Sequence, residues 1–292
     1  MASVTKVSRV YADGIEIFYR HAGEHSKPIL LLLHGYPSSS HQFRNLIPLL
    51  SHKYHVIAPD LPGFGFTHIP AERNYKYTFS NAAISIEAFL DVLKITSYSV
   101  YMFDYGAPVA ERLALSRPKS IKAIITQNGN AYDEGLGKDW WAPLRGFWAS
   151  SNGTSEREAV AKAALVLERV KEQYDIGSPE KDAIQPESWL LDWTLMQQPG
   201  KNDILIDYFY DYQNNLKLYP KFHEYLRSSG VPVLAAWGKY DVSFVPAGAE
   251  AFKKDVKDLE LVLVDNGHFA IELKEEEFAG LIIGFLSKRG IV

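Results

Sequence analysis

Hydrophobic and polar positions in the first half of the chain alternate between patterns typical of strands and patterns typical of helices. Residues 4–11 and 15–20 alternate apolar and polar side chains around Asp13-Gly14, which predicts an antiparallel hairpin. Apolar runs typical of buried strands follow at residues 28–34, 54–59, 99–103 and 121–126. Helical patterns between these runs predict helices at residues 41–50, 78–93 and 109–116. This alternation predicts a doubly wound, mostly parallel sheet.

The pattern changes in the middle of the chain. From residue 132 to residue 228 the periodicity is helical, and no run there is typical of a strand. Ser155-Glu-Arg-Glu158 has the spacing of a capping box and predicts one helix from residue 155 to residue 174. Buried strands return after residue 230. We therefore predict a core domain of residues 1–131 and 229–292, with a helical cap domain of residues 132–228 inserted over one end of the sheet.

Composition narrows the possible functions. The 292 residues are 47% hydrophobic, which is enough to bury a large core, and 31 basic against 35 acidic residues give a net charge of −4. This charge argues against nucleic acid or an anionic membrane as a partner. The sequence has no cysteine, and its histidines show no ligand spacing, so we expect no metal and no cofactor. Without a secretory signal or a membrane-length apolar run, we expect a cytoplasmic protein, as a monomer or a homodimer.

A sharp turn at Asp104 is the first candidate for catalysis. The strand pattern of residues 99–103 stops at Asp104, turns through Gly106 and continues as a helix. A strand-to-helix turn of this kind exposes its central side chain beside free amides and a helix N-terminus. A serine commonly occupies this position, but here it is a carboxylate. The alternative interpretation is that Asp104 only caps the helix.

Two further polar side chains follow buried strands in the same way. Asp241 comes after the strand pattern of residues 231–237, and His268 comes after that of residues 259–264. The carboxyl ends of parallel strands lie side by side and form the usual ligand crevice. Because the chain order is nucleophile, acid and histidine, we predict that Asp104 attacks, Asp241 orients the imidazole and His268 activates water.

A carboxylate nucleophile favours a particular chemistry. It is already ionised at neutral pH and can displace a leaving group at a saturated carbon, which forms an alkyl ester that water then hydrolyses. The oxyanion of that second step forms on Asp104 itself. We predict that the backbone amides of Tyr36 and Tyr105 stabilise it, since Tyr36 lies in a loop directly after a buried strand and Tyr105 follows the nucleophile.

The sequence resembles the α/β-hydrolase-fold epoxide hydrolases and the related dehalogenases over nearly its whole length. The motifs that carry the resemblance are His34-Gly-Tyr-Pro37, Asp60-Leu-Pro-Gly-Phe-Gly65, Asp104-Tyr-Gly106, Gly238-Lys-Tyr-Asp241 and Gly267-His-Phe269. The resemblance implies an α/β-hydrolase fold, with a mostly parallel eight-stranded sheet flanked by helices and an inserted helical cap. It also implies a small apolar substrate and water as the only partners.

The resemblance assigns further residues to the site. Epoxide hydrolases use cap tyrosines to protonate the epoxide oxygen, and Tyr212 in Tyr212-Gln-Asn214 resembles their pattern, whereas Trp148 stands where a second tyrosine is expected. We assign Trp148 to substrate binding, together with His34, Pro37 and Phe269 from the shared motifs.

Three functions stay open at this point. Epoxide hydrolysis to a vicinal diol is the favoured function. Dehalogenation is the alternative, although dehalogenases usually have tryptophan where this chain has Tyr105, and Trp148 would then be the halide donor. The third possibility is a protein of this fold that binds a ligand without turnover.

Overall fold

The computed structural model describes residues 4–291 and contains one eight-stranded sheet, in the order β1-β2-β4-β3-β5-β6-β7-β8. Strands β1, β2 and β4 pair antiparallel, and all other neighbours pair parallel. The mostly parallel eight-stranded sheet is therefore confirmed. The strands are β1 (Lys6–Ala12), β2 (Ile15–Ala22), β3 (Ile29–Leu33), β4 (His55–Pro59), β5 (Tyr98–Phe103), β6 (Ile121–Gln127), β7 (Val233–Gly238) and β8 (Leu259–Val264).

Helices surround the sheet and fill the long segment between β6 and β7. In chain order they are α1 (Leu46–Leu50), α2 (Phe79–Val92), α3 (Gly106–Ser116), α4 (Lys138–Trp148), α5 (Thr154–Ala164), α6 (Leu167–Asp175), α7 (Pro186–Met196), α8 (Lys201–Asp211), α9 (Gln213–Leu216), α10 (Tyr219–Ser229), α11 (Ala247–Ala251) and α12 (Glu275–Ser287). No helix within residues 4–291 is long and apolar enough to cross a bilayer.

The central strands are buried on both faces, which explains their continuous apolar runs. In β5, Val100 and Met102 pack in one hydrophobic core with α2 and α3, whereas Tyr101 and Phe103 pack in a second core with α1 and α12. Since successive side chains of a strand point to opposite faces, one apolar run supplies both cores. The carboxyl ends of the parallel strands therefore lie side by side at one edge of the sheet.

We call the segment between β6 and β7, residues 128–232, the helical insertion. It contains α4 to α10, and no residue from 138 to 229 belongs to a strand. Apolar side chains of α4 and α8 share the first core with Tyr36 and Tyr105, and Tyr174 of α6 shares the second core with Phe269. The insertion therefore packs against both cores. The exact division into a core domain and a cap domain stays a prediction. Residues 1–3 and 292 belong to the predicted core but lie outside the described residues. The interpretation that the sequence lacks a secretory signal rests partly on those first residues.

Two predicted helices are wrong in detail. Residues 41–50 form a 3-10 helix, Ser40–Phe43, followed by the short α1, because a continuous helix would place Pro48 in its interior without an N–H to donate. Residues 155–174 form two helices that are separated where Leu165 is buried and Val166 is extended. The capping box is absent, since Thr154 starts α5 and the Ser155 hydroxyl donates to Glu156 at 3.0 Å.

Candidate active site

The turn between β5 and α3 is tight because glycines allow two backbones to meet. Asp104 has a positive φ of 44°, which is uncommon for a residue with a side chain. A Cβ on Gly106 would lie 2.3 Å from the carbonyl oxygen of Leu33, and one on Gly35 would lie 2.3 Å from Cβ of Asp104. The loops after β3 and β5 are therefore in direct contact, which brings the Tyr36 amide to the Asp104 side chain.

The Asp104 carboxyl group is buried and held by backbone amides. The Tyr36 N–H donates to Oδ1 at 2.6 Å, and the Tyr105 amide also bonds to this carboxyl group. Burial raises the pKa of Asp104 to about 6, while the nearby His268 and the two amides oppose that rise. Asp104 is thus mainly ionised at neutral pH, and its carboxyl group is bonded to an amide from a different loop, which a simple helix cap does not require.

His268 links the other two members of the predicted triad. Its Nδ1 lies 2.7 Å from Oδ2 of Asp241, and its Nε2 lies 4.0 Å from Oδ2 of Asp104. Burial lowers the pKa of His268, but the charge and hydrogen bond of Asp241 and the charge of Asp104 outweigh it, so the pKa is raised overall. Nε2 therefore faces the candidate nucleophile, while Asp241 holds the opposite side of the ring.

Asp241 receives hydrogen bonds at both oxygens. Its Oδ1 accepts from the amides of Ser243 at 2.7 Å and Phe244 at 3.1 Å, and its Oδ2 accepts from Asn128 Nδ2 at 2.7 Å as well as facing His268. Asn128 Oδ1 in turn accepts from the Gly238 amide at 2.8 Å. The sequence prediction missed Asn128, although it directly follows β6 at the same kind of strand end as the other site residues.

A cavity of about 540 Å³ opens beside Asp104, and its walls are mainly apolar. The sheet side contributes Tyr36, Asp104 and Tyr105. Most of the remaining lining comes from α4 and α5, and the sequence prediction did not identify it. Those residues are Asp139, Trp140, Trp141, Pro143, Leu144, Gly146, Phe147, Ser150, Glu156, Ala159, Val160, Ala163, Ala164, Arg169, Gln173, Phe209 and Ser243.

Tyr212 and Trp148 are not among the residues that line this cavity, and the roles predicted for them stay predictions. Tyr212 is 1% exposed and lies behind Tyr105 and Trp141, with ring centroids 5.8 and 4.6 Å away. Burial raises the pKa of Tyr212, and a hydrogen bond with the Tyr219 side chain adds to this rise. The Trp148 indole N–H donates to the carbonyl of Phe209 at 2.7 Å, so it is not free to hold a substrate or a halide.

The other predicted substrate-binding residues also lie outside the cavity lining. His34 is fully buried and accepts from the Leu61 amide at Nε2, 2.9 Å away, so it holds the loop after β4. Pro37 follows a cis peptide bond and shapes the loop that presents the Tyr36 amide. Phe269 stacks on Tyr174, with centroids 4.1 Å apart. These residues support the loops of the site, and their predicted part in substrate binding stays a prediction.

Tyr36 and Tyr105 line the cavity together with the candidate nucleophile. The Tyr36 hydroxyl has one weak contact, a 3.5 Å hydrogen bond to the carbonyl of Ala164. The Tyr105 hydroxyl makes no hydrogen bond within residues 4–291. The sequence prediction named both residues for their amides and overlooked their side chains.

Comparison with known proteins agrees with this architecture. Residues 28–275 match the family model described as alpha/beta hydrolase fold. The chain is 48% identical to an uncharacterized hydrolase of Saccharomyces cerevisiae over 94% of this chain and 95% of that protein. It is 35% identical to a haloalkane dehalogenase of Bradyrhizobium diazoefficiens over 41% of this chain and 37% of that protein.

A solved structure of an epoxide hydrolase, CorEH, superposes with a TM-score of 0.77 at 20% identity, covering 98% of this chain and 100% of that one. At this identity the likeness concerns the fold alone. The family match over most of the chain and the full-length relative both point to the same assignment. The chain belongs to the α/β-hydrolase-fold family and is an α/β-fold hydrolase.

Proposed function

We propose that this hydrolase acts through a covalent alkyl ester on Asp104 and that its substrates are apolar epoxides, which it converts to vicinal diols. The observation that carries the proposal is the placement of Asp104 at a mainly apolar cavity, with His268 Nε2 4.0 Å away and with Tyr36 and Tyr105 among the lining residues. A carboxylate can open an epoxide by attack at carbon, and a phenol can protonate the departing oxygen.

In the first step the Asp104 carboxylate attacks an epoxide carbon and the carbon–oxygen bond of the ring breaks. The oxygen takes a proton from a phenol of the cavity wall, Tyr36 or Tyr105, and leaves a phenolate. Both phenols are buried, and burial together with the Asp104 charge raises their pKa values, which keeps them protonated until a stronger base forms beside them. The product is a hydroxyalkyl ester of Asp104.

In the second step water hydrolyses the ester. His268 takes a proton from water, and the hydroxide attacks the Asp104 carbonyl carbon. The Tyr36 amide already donates to Asp104 Oδ1 at 2.6 Å, so it is placed to stabilise the oxyanion that forms there. When the ester breaks, His268 returns its proton to the diol oxygen, and the proton of the regenerated carboxyl group returns to the phenolate. One epoxide and one water give one diol.

Dehalogenation is the second candidate function, and one observation favours it. Trp140 lines the main cavity and also a small adjoining space beside His268, and its indole N–H makes no hydrogen bond within residues 4–291. An indole N–H in that position can donate to a departing halide. The neighbouring Trp141 cannot, because its N–H donates to the Ser243 carbonyl at 2.9 Å.

The test uses the His268→Gln variant, which keeps the nucleophile and removes the base. It is incubated separately with an aryl epoxide and a bromoalkane, and intact and peptide masses are taken. We expect an adduct on Asp104 with the whole mass of the epoxide. An adduct that lacks bromine and forms only with the bromoalkane would assign dehalogenation. Asp104→Asn is the control that must give no adduct, and no adduct in His268→Gln with either compound would refute the ester mechanism.

A further inference from the structure

A buried polar cluster fastens two helices of the insertion beside the loop that carries His268. The Tyr174 hydroxyl of α6 donates to Asp192 Oδ2 of α7 at 2.5 Å, and both side chains are buried. One turn earlier on α7, the Ser188 hydroxyl donates to Glu272 at 2.5 Å, and Glu272 also pairs with Arg44. None of these five residues lines the substrate cavity.

The ring of Tyr174 is in contact with the catalytic centre through one aromatic residue. It stacks on Phe269 with centroids 4.1 Å apart and planes 16° from parallel. The Phe269 ring meets the His268 imidazole edge-on at 5.3 Å, and it also contacts Phe103, the residue before Asp104, at 5.0 Å. Tyr174 is therefore the outer member of an aromatic stack whose inner member is His268.

The backbone after α6 is seated on both loops that orient the imidazole. A Cβ on Gly267 would lie 2.0 Å from the carbonyl oxygen of Ile176, and one on Gly177 would lie 2.5 Å from the carbonyl oxygen of Tyr240. These distances leave no room for a side chain. The segment from Tyr174 to Gly177 thus rests directly on the residues preceding His268 and Asp241.

The hydrogen bond at the outer end of this stack is more than space filling. An apolar pair would fill the same volume without desolvating a carboxyl group, and burial raises the pKa of Asp192 to about 7. What a buried directional bond adds is a fixed position for the hydroxyl end of the Tyr174 ring, and so for the ring that stacks on Phe269. The residue that this orientation controls is Phe269, and through it His268.

We propose that Tyr174, held by Asp192, is a positioning residue for His268 that keeps the imidazole aimed at the ester of Asp104. The inference rests on the proposed two-step function and deepens it. Formation of the ester needs Asp104 and the cavity phenols, whereas its hydrolysis needs a correctly oriented His268. Loosening the Tyr174–Asp192 contact is therefore expected to slow the second step and spare the first.

The experiment compares Tyr174→Phe and Asp192→Asn with wild type under rapid-quench conditions, measuring ester formation and ester loss by intact mass with an aryl epoxide. We expect ester loss to slow by roughly 10- to 100-fold, as for other small displacements of catalytic groups, with ester formation unchanged. The fraction of enzyme present as ester at steady state then rises. Tyr225→Phe removes a hydroxyl from another buried tyrosine of the insertion and is expected to change neither rate.

Equal slowing of both steps would overturn the inference, because it would indicate general loosening, and so would unchanged ester loss in both variants. If one variant fails to fold, as judged by thermal melting, the rates of the other variant still test the positioning role of Tyr174. A readout without turnover separates this inference from the proposed function: the imidazole ¹⁵N signals and the pH titration of His268. They are expected to change in both variants but not in Tyr225→Phe, even if no epoxide is a substrate. Unchanged His268 signals in both variants would refute the positioning role.

Discussion

Asp104 and Asp241 are two carboxylates that follow strands of the same sheet, but their hydrogen-bonding surroundings differ. Asp241 receives two amides, the Asn128 side chain and His268, so both of its oxygens are occupied. Asp104 receives two amides, and its Oδ2 faces His268 across 4.0 Å. Because donors surround both of its oxygens, Asp241 is suited to orienting the His268 imidazole. Asp104 has fewer donors and keeps one oxygen that can attack carbon.

The largest expected effect comes from removing the reactive oxygen. Asp104→Asn should abolish turnover, because an amide does not displace a leaving group at saturated carbon. The same variant should be more stable than wild type at pH 8. The pKa of Asp104 in the folded protein, about 6, lies above its unfolded value near 4, so wild type loses stability as the pH rises through this interval, by up to ~3 kcal/mol.

Denaturant unfolding of wild type and Asp104→Asn at pH 4 and pH 8 measures this stability difference. It should be larger at pH 8 than at pH 4. An equal difference at both pH values would show that the Asp104 carboxylate is not penalised by burial.

The next effect comes from removing the charge of the orienting carboxylate. Asp241→Asn is expected to slow ester hydrolysis by about 10⁴-fold, because an amide cannot stabilise the imidazolium and can hold the wrong tautomer. Ester formation should continue, so the enzyme should accumulate as ester. Single-turnover mass measurements with an epoxide test this, and a matching loss of ester formation would contradict the division of roles between the two carboxylates.

A smaller effect is expected when Asp241 loses one of its four partners. Asn128→Gly keeps a backbone that tolerates the positive φ of 48° but deletes the side chain that joins Asp241 to the Gly238 amide. We expect about tenfold slower hydrolysis and about 1–3 kcal/mol lower stability, because buried polar groups lose their partners. Asn130→Gly, at a neighbouring buried asparagine that bonds to Tyr132 and Tyr219, is the comparison and should leave hydrolysis unchanged.

The smallest effect is the pH dependence of the wild-type enzyme. Ester formation requires ionised Asp104 and should rise with pH through about 6, so that it is roughly tenfold slower at pH 5 than at pH 8. Hydrolysis requires neutral His268, whose pKa is raised, so it should increase at higher pH than ester formation does. Rapid-quench profiles from pH 5 to pH 9 separate the two, and coincident profiles would refute the assignment.

The sequence predicted the parts of the site that depend on local order along one strand. Asp104, Asp241 and His268 each follow a continuous apolar run, and parallel strands necessarily bring such positions together. Asn128 also directly follows a strand, but an asparagine in that position is equally typical of an ordinary turn. Only its bonds to Asp241 and Gly238, made across the sheet, distinguish the two interpretations.

The lining of the cavity could not be read in the same way. Tyr212 and Trp141 are both aromatic residues of the insertion, yet one lies a layer behind the other, and that order depends on how α4 and α8 pack. Likewise, the carbonyl of Phe209 engages the N–H of Trp148 across 61 residues of chain. Helical periodicity indicates which face of a helix is apolar, but not which apolar residue reaches a cavity.

The contact between Gly267 and the Ile176 carbonyl has a consequence for protein engineering. Exchanging the helical insertion for that of a relative is an obvious way to alter substrate range, but here the graft would have to reproduce a backbone path that leaves no space for a methyl group at position 267. Conversely, any residue other than glycine at 267 would push the turn after α6 outwards. A chimera of this enzyme should therefore exchange the 174–177 segment and the 265–269 loop as one unit.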